Sequence, residues 1–286
     1  MSLLEMQRAL SAILTEPPFL RQFIRQPEVA IGRFSLTRRE NDSLLSIDRQ
    51  RLVAHAELLW EGRLAFALKA FPVFGNLLAE QLHGMAGRFC TAYSPVPVNA
   101  PQLRTEADRL MGFLEEISAQ GLIQPAYLVE LARLEHALLR ARGYWFQAPD
   151  AAPTDCPGSD TADRYATSPL TFVVDLSPKA TQAVVDAGFY IWPGRPPATS
   201  GTVVLILGRS DGSVGVFRIN QWMRKLLTLA DGTRDEPEIC SRFTLEDKAA
   251  AGDEFPVLVT DAIQRLIDVG AIQRVNAPRR SRTRVA

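Results

Sequence analysis

Hydrophobic residues recur with a helical period almost throughout residues 1–146, and from residue 169 the pattern changes to short β-rich runs followed by shorter helices. A chain whose pattern changes across a stretch unable to bury a core is expected to fold as two dissimilar halves. That stretch is QAPDAAPTDCPGSDTADRYATS at 147–168, rich in proline, aspartate and small residues, and it reads as a linker. The expected architecture is α+β. An all-α domain spans 1–146 and the linker 147–168. A domain at 169–286, built from a short antiparallel sheet and three helices, ends in the basic run RRSRTR at 279–284.

Punctuation in the first half divides it into helices. Leu3, Leu4, Met6, Leu10, Ile13 and Leu14 form one apolar stripe, stopped by Thr15-Glu16-Pro17-Pro18. Phe19, Leu20, Phe23 and Ile24 mark a short helix that ends before Pro27. Thr37 reads as an N-cap with Glu40 as its capping-box partner. Ser46-Ile47-Asp48 opens a long helix through Leu52, Leu58, Leu59, Leu64 and Leu68, broken at Pro72. Leu77 to Tyr93 reads as one further helix, ended by Pro95, Pro97 and Pro101. Two more are expected at about 103–119 and 125–142.

In the second half LTFVVDL at 170–176 reads as a strand. TVVLILG at 202–208 and VGVFRI at 214–219 flank Arg209-Ser210-Asp211-Gly212 and read as a hairpin. Asn220 is the expected N-cap of the next helix, with Gly232 closing it as a left-handed cap. Pro237 suits the first turn of a helix at 236–243. A third helix is expected at 256–269 and a last strand at 271–275. Strands, three helices, then a strand is a winged-helix-like order.

Several function classes lack support. Acidic and basic residues balance at 32 each, so bulk charge does not point to nucleic acid or an anionic membrane. No apolar run approaches the ~20 residues of a membrane span. The N-terminus lacks the features of a signal peptide, so a cytoplasmic location is expected. Cys90, Cys156 and Cys240 are far apart and in no CxxC spacing, which argues against a disulfide framework or structural zinc. His55, His83 and His136 are equally scattered. There is no HExxH, GxSxG, P-loop or GxGxxG pattern. No catalytic residue and no metal ligand is assigned.

The second half resembles the PqqD-like family of RiPP recognition elements, which bind the leaders of ribosomally made, post-translationally modified peptides. The resemblance rests on FRIN at 217–220, LLTLADGTR at 226–234 and VTDAIQRLIDVGAIQRV at 259–275. The insertion at 177–201, with Tyr190 and Trp192, has no place in that pattern. The first half resembles the helical domain of partner proteins of multinuclear iron oxidases, such as the methanobactin and thiaglutamate partner proteins. Residues 4–40, RLAFALKAFPVFGNLL at 63–78 and YLVELARLEHALLRA at 127–141 carry that likeness.

The joint resemblance implies a non-catalytic subunit of a heterodimer. It implies that iron belongs to a separate barrel-fold oxidase, that this chain has no cofactor of its own, and that the chain presents the precursor peptide. By the same analogy the peptide adds as a strand beside Val214, Gly215, Val216, Phe217 and Arg218, against a helix wall of Leu258, Asp261, Ala262 and Arg265. Alternation puts Gly215, Phe217 and Ile219 on one face and Val214, Val216 and Arg218 on the other. Arg218 and Arg265 are the residues expected to meet acidic positions of a leader. Taken without the resemblance, the polar positions of that helix read as an ordinary solvated face. The competing function is a winged-helix regulator bound to DNA. Against it, the third helix carries Asp261 and Asp268 beside a single arginine.

Overall fold

The computed structural model describes residues 3–96, 102–143, 164–187, 201–209, 211–243 and 255–275. The fold is mixed helix and sheet, and the chain divides into two compact units, Met1–His136 and Ala137–Ala286. The division falls before the expected boundary at 146, inside the last helix of the first half.

In the first unit the described elements are α1 (Leu3–Thr15), α2 (Pro17–Arg25), α3 (Pro27–Ile31), α4 (Arg38–Leu45), α5 (Arg49–Leu68), α6 (Gly75–Gln81), α7 (Ala86–Ala92), α8 (Gln102–Ala119) and the start of α9 (Tyr127–Gly143). Their ends follow the local chemistry. Thr37 and Glu40 form a reciprocal capping box at α4, and Asp48 accepts from the amides of Gln50 and Arg51 at the start of α5. The single helix expected over 77–93 is two helices. They part at Leu82–Met85, where Gly84 adopts φ +71°, a conformation that glycine alone enters without strain. Ile13, Phe19, Phe23, Leu44, Leu52 and Ala56 form one buried cluster. Phe71, Phe89, Leu110, Phe113, Leu114 and Ile117 are also fully buried. Leu58 and Leu59 of α5 face solvent instead.

Polar contacts, some of them buried, hold these helices in register. The Arg63 guanidinium on α5 grips the Glu106 carboxylate on α8 through two bonds of 3.0 Å, and donates to the Tyr93 and Ser94 carbonyls at 2.6 and 3.0 Å. The Glu135 carboxylate on α9 accepts from the Val73 and Phe74 amides at 2.8 and 3.0 Å, at the entry to α6. Neighbouring residues of α9 reach α8: Arg133 bonds Glu115 at 2.9 Å, and His136 meets Asp108 at 2.6 Å.

Burial pushes the Glu135 carboxyl up, and the two amides pull it part of the way back. A carboxyl raised on folding weakens the fold as pH climbs past its unfolded pKa near 4.5, and the loss is complete above its folded pKa. Relative to a Glu135→Gln variant, the native chain is therefore expected to lose stability between pH 4 and neutrality. Urea unfolding of both proteins across that range checks this; a relative gain for the native chain with rising pH would refute it.

The second unit contains β1 (Arg164–Thr167), β2 (Thr171–Leu176), α10 (Pro178–Asp186), β3 (Thr202–Gly208), β4 (Val214–Ile219), α11 (Gln221–Leu229), β5 (Asp231–Asp235), α12 (Glu236–Ser241), α13 (Phe255–Asp268) and β6 (Ile272–Val275). Two three-stranded antiparallel sheets stand where one was expected, in the orders β5-β1-β6 and β2-β3-β4. The last residues of the stretch read as a linker form β1, the central strand of the first sheet, and 147–163 lie outside the described residues. Gly232 does not close α11. Ala230 is the C-cap, and Gly232, at φ +86°, lies within β5 beside Ala166. The insertion at 177–201 opens with α10, capped by Ser177. Tyr190, Trp192, Pro97, Pro101 and the basic tail lie outside the described residues.

Candidate functional site

Strand β4 forms because VGVFRI alternates, and its alternate residues have a core to enter. Cross-strand partners share a face, so the pairs Val203–Ile219, Leu205–Phe217 and Leu207–Gly215 lie on one side of the sheet. Phe217 and Ile219 pack there on a core that includes Leu205, Leu226, Val259, Ala262, Ile263 and Leu266. Trp222 is half-buried against this core, its ring 5.3 Å from that of Phe243. Val214, Val216 and Arg218 lie on the opposite face, opposite Gly208, Ile206 and Val204. The division of faces matches the alternation of the sequence.

The hydrogen-bond phase of the hairpin follows from its turn. The Arg209 amide donates to the Ser213 carbonyl at 2.9 Å, which makes that pair a bonded one. Bonded and non-bonded pairs alternate in an antiparallel ladder, so 207–215, 205–217 and 203–219 are bonded and 208–214, 206–216 and 204–218 are not. The Gly208 amide agrees, since it donates away from β4 to the Leu170 carbonyl at 3.0 Å. The N–H and C=O groups of Val214, Val216 and Arg218 therefore point outward. Because β4 is the last strand of its sheet, no described strand pairs with them. Asp211 fixes the turn, its carboxyl held low by hydrogen bonds from the Ser213 hydroxyl and amide.

The expected helix wall is only partly available. Ala262 is buried in the shared core. Leu258 is 44% exposed and Val257 69% exposed, both on the outer surface of α13. Arg265 is exposed but engaged by Asp261 at 2.8 Å, one helical turn away. Arg218 is exposed on the strand edge and makes no ion pair among the described residues. Arg224 is not available in the same way, since it meets Asp175 of β2 at 2.7 Å. Sequence reasoning treated Arg218 and Arg265 alike. The i, i+4 spacing of Asp261 and Arg265 was the signal that could have separated them.

Among the described residues, no group of three or more His, Cys, Asp or Glu side chains is placed to hold a metal ion. No described helix is long and apolar enough to cross a membrane. Comparison of the chain with family models and with curated proteins finds no match.

Proposed function

We propose that the chain is a non-catalytic partner subunit. Its second unit holds the leader of a ribosomally made precursor peptide, and its helical unit docks on a separate iron-dependent oxidase that modifies the peptide. The observation that carries this reading is the outer edge of β4, with three residues whose backbone donors and acceptors face outward in one row. The hairpin β3-β4, followed along the chain by α11, β5, α12, α13 and β6, supports the assignment to a winged-helix-like, PqqD-type domain. In this reading the iron belongs to the oxidase and this chain carries no cofactor. The DNA-binding alternative fits less well. The exposed side of α13 bears Asp261 and Asp268, and its arginine is tied to the first of them.

Affinity capture of the full chain from its native host tests the proposal. The expected result is co-purification of an iron-containing barrel protein, with iron recovered from that partner and not from this chain purified alone. Recovery of DNA and no iron protein would overturn it.

A further inference from the structure

We propose, resting on the peptide-edge reading, that a strand received antiparallel by β4 carries the pattern acidic-x-apolar-x-apolar from its N- to its C-terminus. Residues placed directly opposite one another in an antiparallel pair lie on the same face of the sheet. A strand bonded to the outward groups of β4 therefore sets one side chain beside each of Arg218, Val216 and Val214. An antiparallel strand meets them in that order. Antiparallel addition continues the ladder already present in this sheet and is the more stable pairing per residue.

The chemistry of the three positions then fixes the pattern. Arg218 is exposed and without an ion-pair partner among the described residues, so its cross-strand neighbour is a carboxylate. Val216 lies opposite Ile206, which is fully buried, and Val214 lies just before it on the same face. That face is apolar for two successive positions, and a polar side chain added beside them would lose water without gaining a partner. The intervening positions of the peptide fall on the face of Gly215 and Phe217. Gly215 offers no side chain there and Phe217 is turned into the core, so those positions are left without a defined contact. Arg265, already joined to Asp261, does not set the charge of the ligand.

The test uses the full chain and two labelled synthetic peptides of about eight residues, with blocked ends and identical composition. One carries Glu-Thr-Val-Thr-Val and the other the reversed order Val-Thr-Val-Thr-Glu. Fluorescence anisotropy at low salt is expected to show the first binding several-fold tighter. Arg218→Glu is expected to weaken it about tenfold and to restore binding to a Lys-Thr-Val-Thr-Val peptide, whereas Arg265→Glu changes little. Preference for the reversed order overturns the orientation. Equal binding of both orders, unaffected by Arg218→Glu yet lost in a Val216→Pro variant, overturns the pattern and leaves the edge reading standing. If neither peptide binds, both fall. A dimer in sedimentation that dissociates on Val216→Pro would mean a second copy occupies the edge, and that also overturns the proposal.

Discussion

Proline at position 216 is expected to remove binding of the acidic strand peptide by tenfold or more while leaving the fold intact. Proline at position 217 is expected to damage the fold itself. The two sites are adjacent, but their amides face opposite ways. The Val216 N–H points out from the edge, so proline there deletes a donor meant for a ligand and sets its ring in the ligand's path. Edge strands tolerate such a residue where the missing N–H faces outward. The Phe217 N–H belongs to the bonded pair with Leu205, and its ring enters the core. Replacing it breaks the ladder and empties part of the cluster at once. Circular dichroism and thermal melting of both variants, beside anisotropy, separate the outcomes. Equal loss of structure in the two would show that the phase assigned to the hairpin is wrong.

Replacement of Arg63 by methionine is expected to destabilise the helical unit by about 3–5 kcal/mol. Methionine keeps much of the volume and removes the charge. Glu106, only 4% exposed, would lose its two-point partner and keep Arg109 at 3.5 Å, while the Tyr93 carbonyl would lose its donor. Burial already pushes the nearby Cys90 thiol up, and the Arg63 charge that opposes this would be gone. A second substitution, Glu106→Leu, removes the stranded carboxylate and is expected to recover a large part of the loss. Urea unfolding of the native chain, the single variant and the double variant measures this. A double variant no more stable than Arg63→Met would mean that the cost lies in packing and not in the orphaned charge.

The elements most legible in the sequence are those that carry their own chemistry. Thr37 with Glu40, Asp48 and Asn220 each mark a helix start through a bond made within a few residues, and Pro237 marks one through its fixed φ in the first turn. The hairpin is legible because its hydrophobic alternation and its turn agree. The strands missed are those without a local signature. RYAT at 164–167 is short and hardly alternates, and DGTRD at 231–235 is almost wholly polar. Both become strands through backbone pairing with partners far along the chain, which no nearby residue announces. At the candidate site the alternation of β4 showed which side chains share a face. The direction of the amides required the register with β3. The run LARLEHA at 131–137 stands out in the sequence, but its reason does not. Arg133 and His136 reach side chains on α8, and Glu135 between them reaches the backbone ahead of α6.

The bond between Glu135 and the amides ahead of α6 also sets an order of events in the cell. A ribosome delivers Val73 and Phe74 long before it delivers Glu135, 62 residues after the first of them. At synthesis rates of roughly 5–20 residues per second, those two amides wait some seconds, about 3–12 s, for their acceptor. Through that interval the nascent helical unit lacks the clasp at the entry to α6. The vectorial passage of the chain thus makes α9 the element that closes the polar contacts to α8 and to the entry of α6.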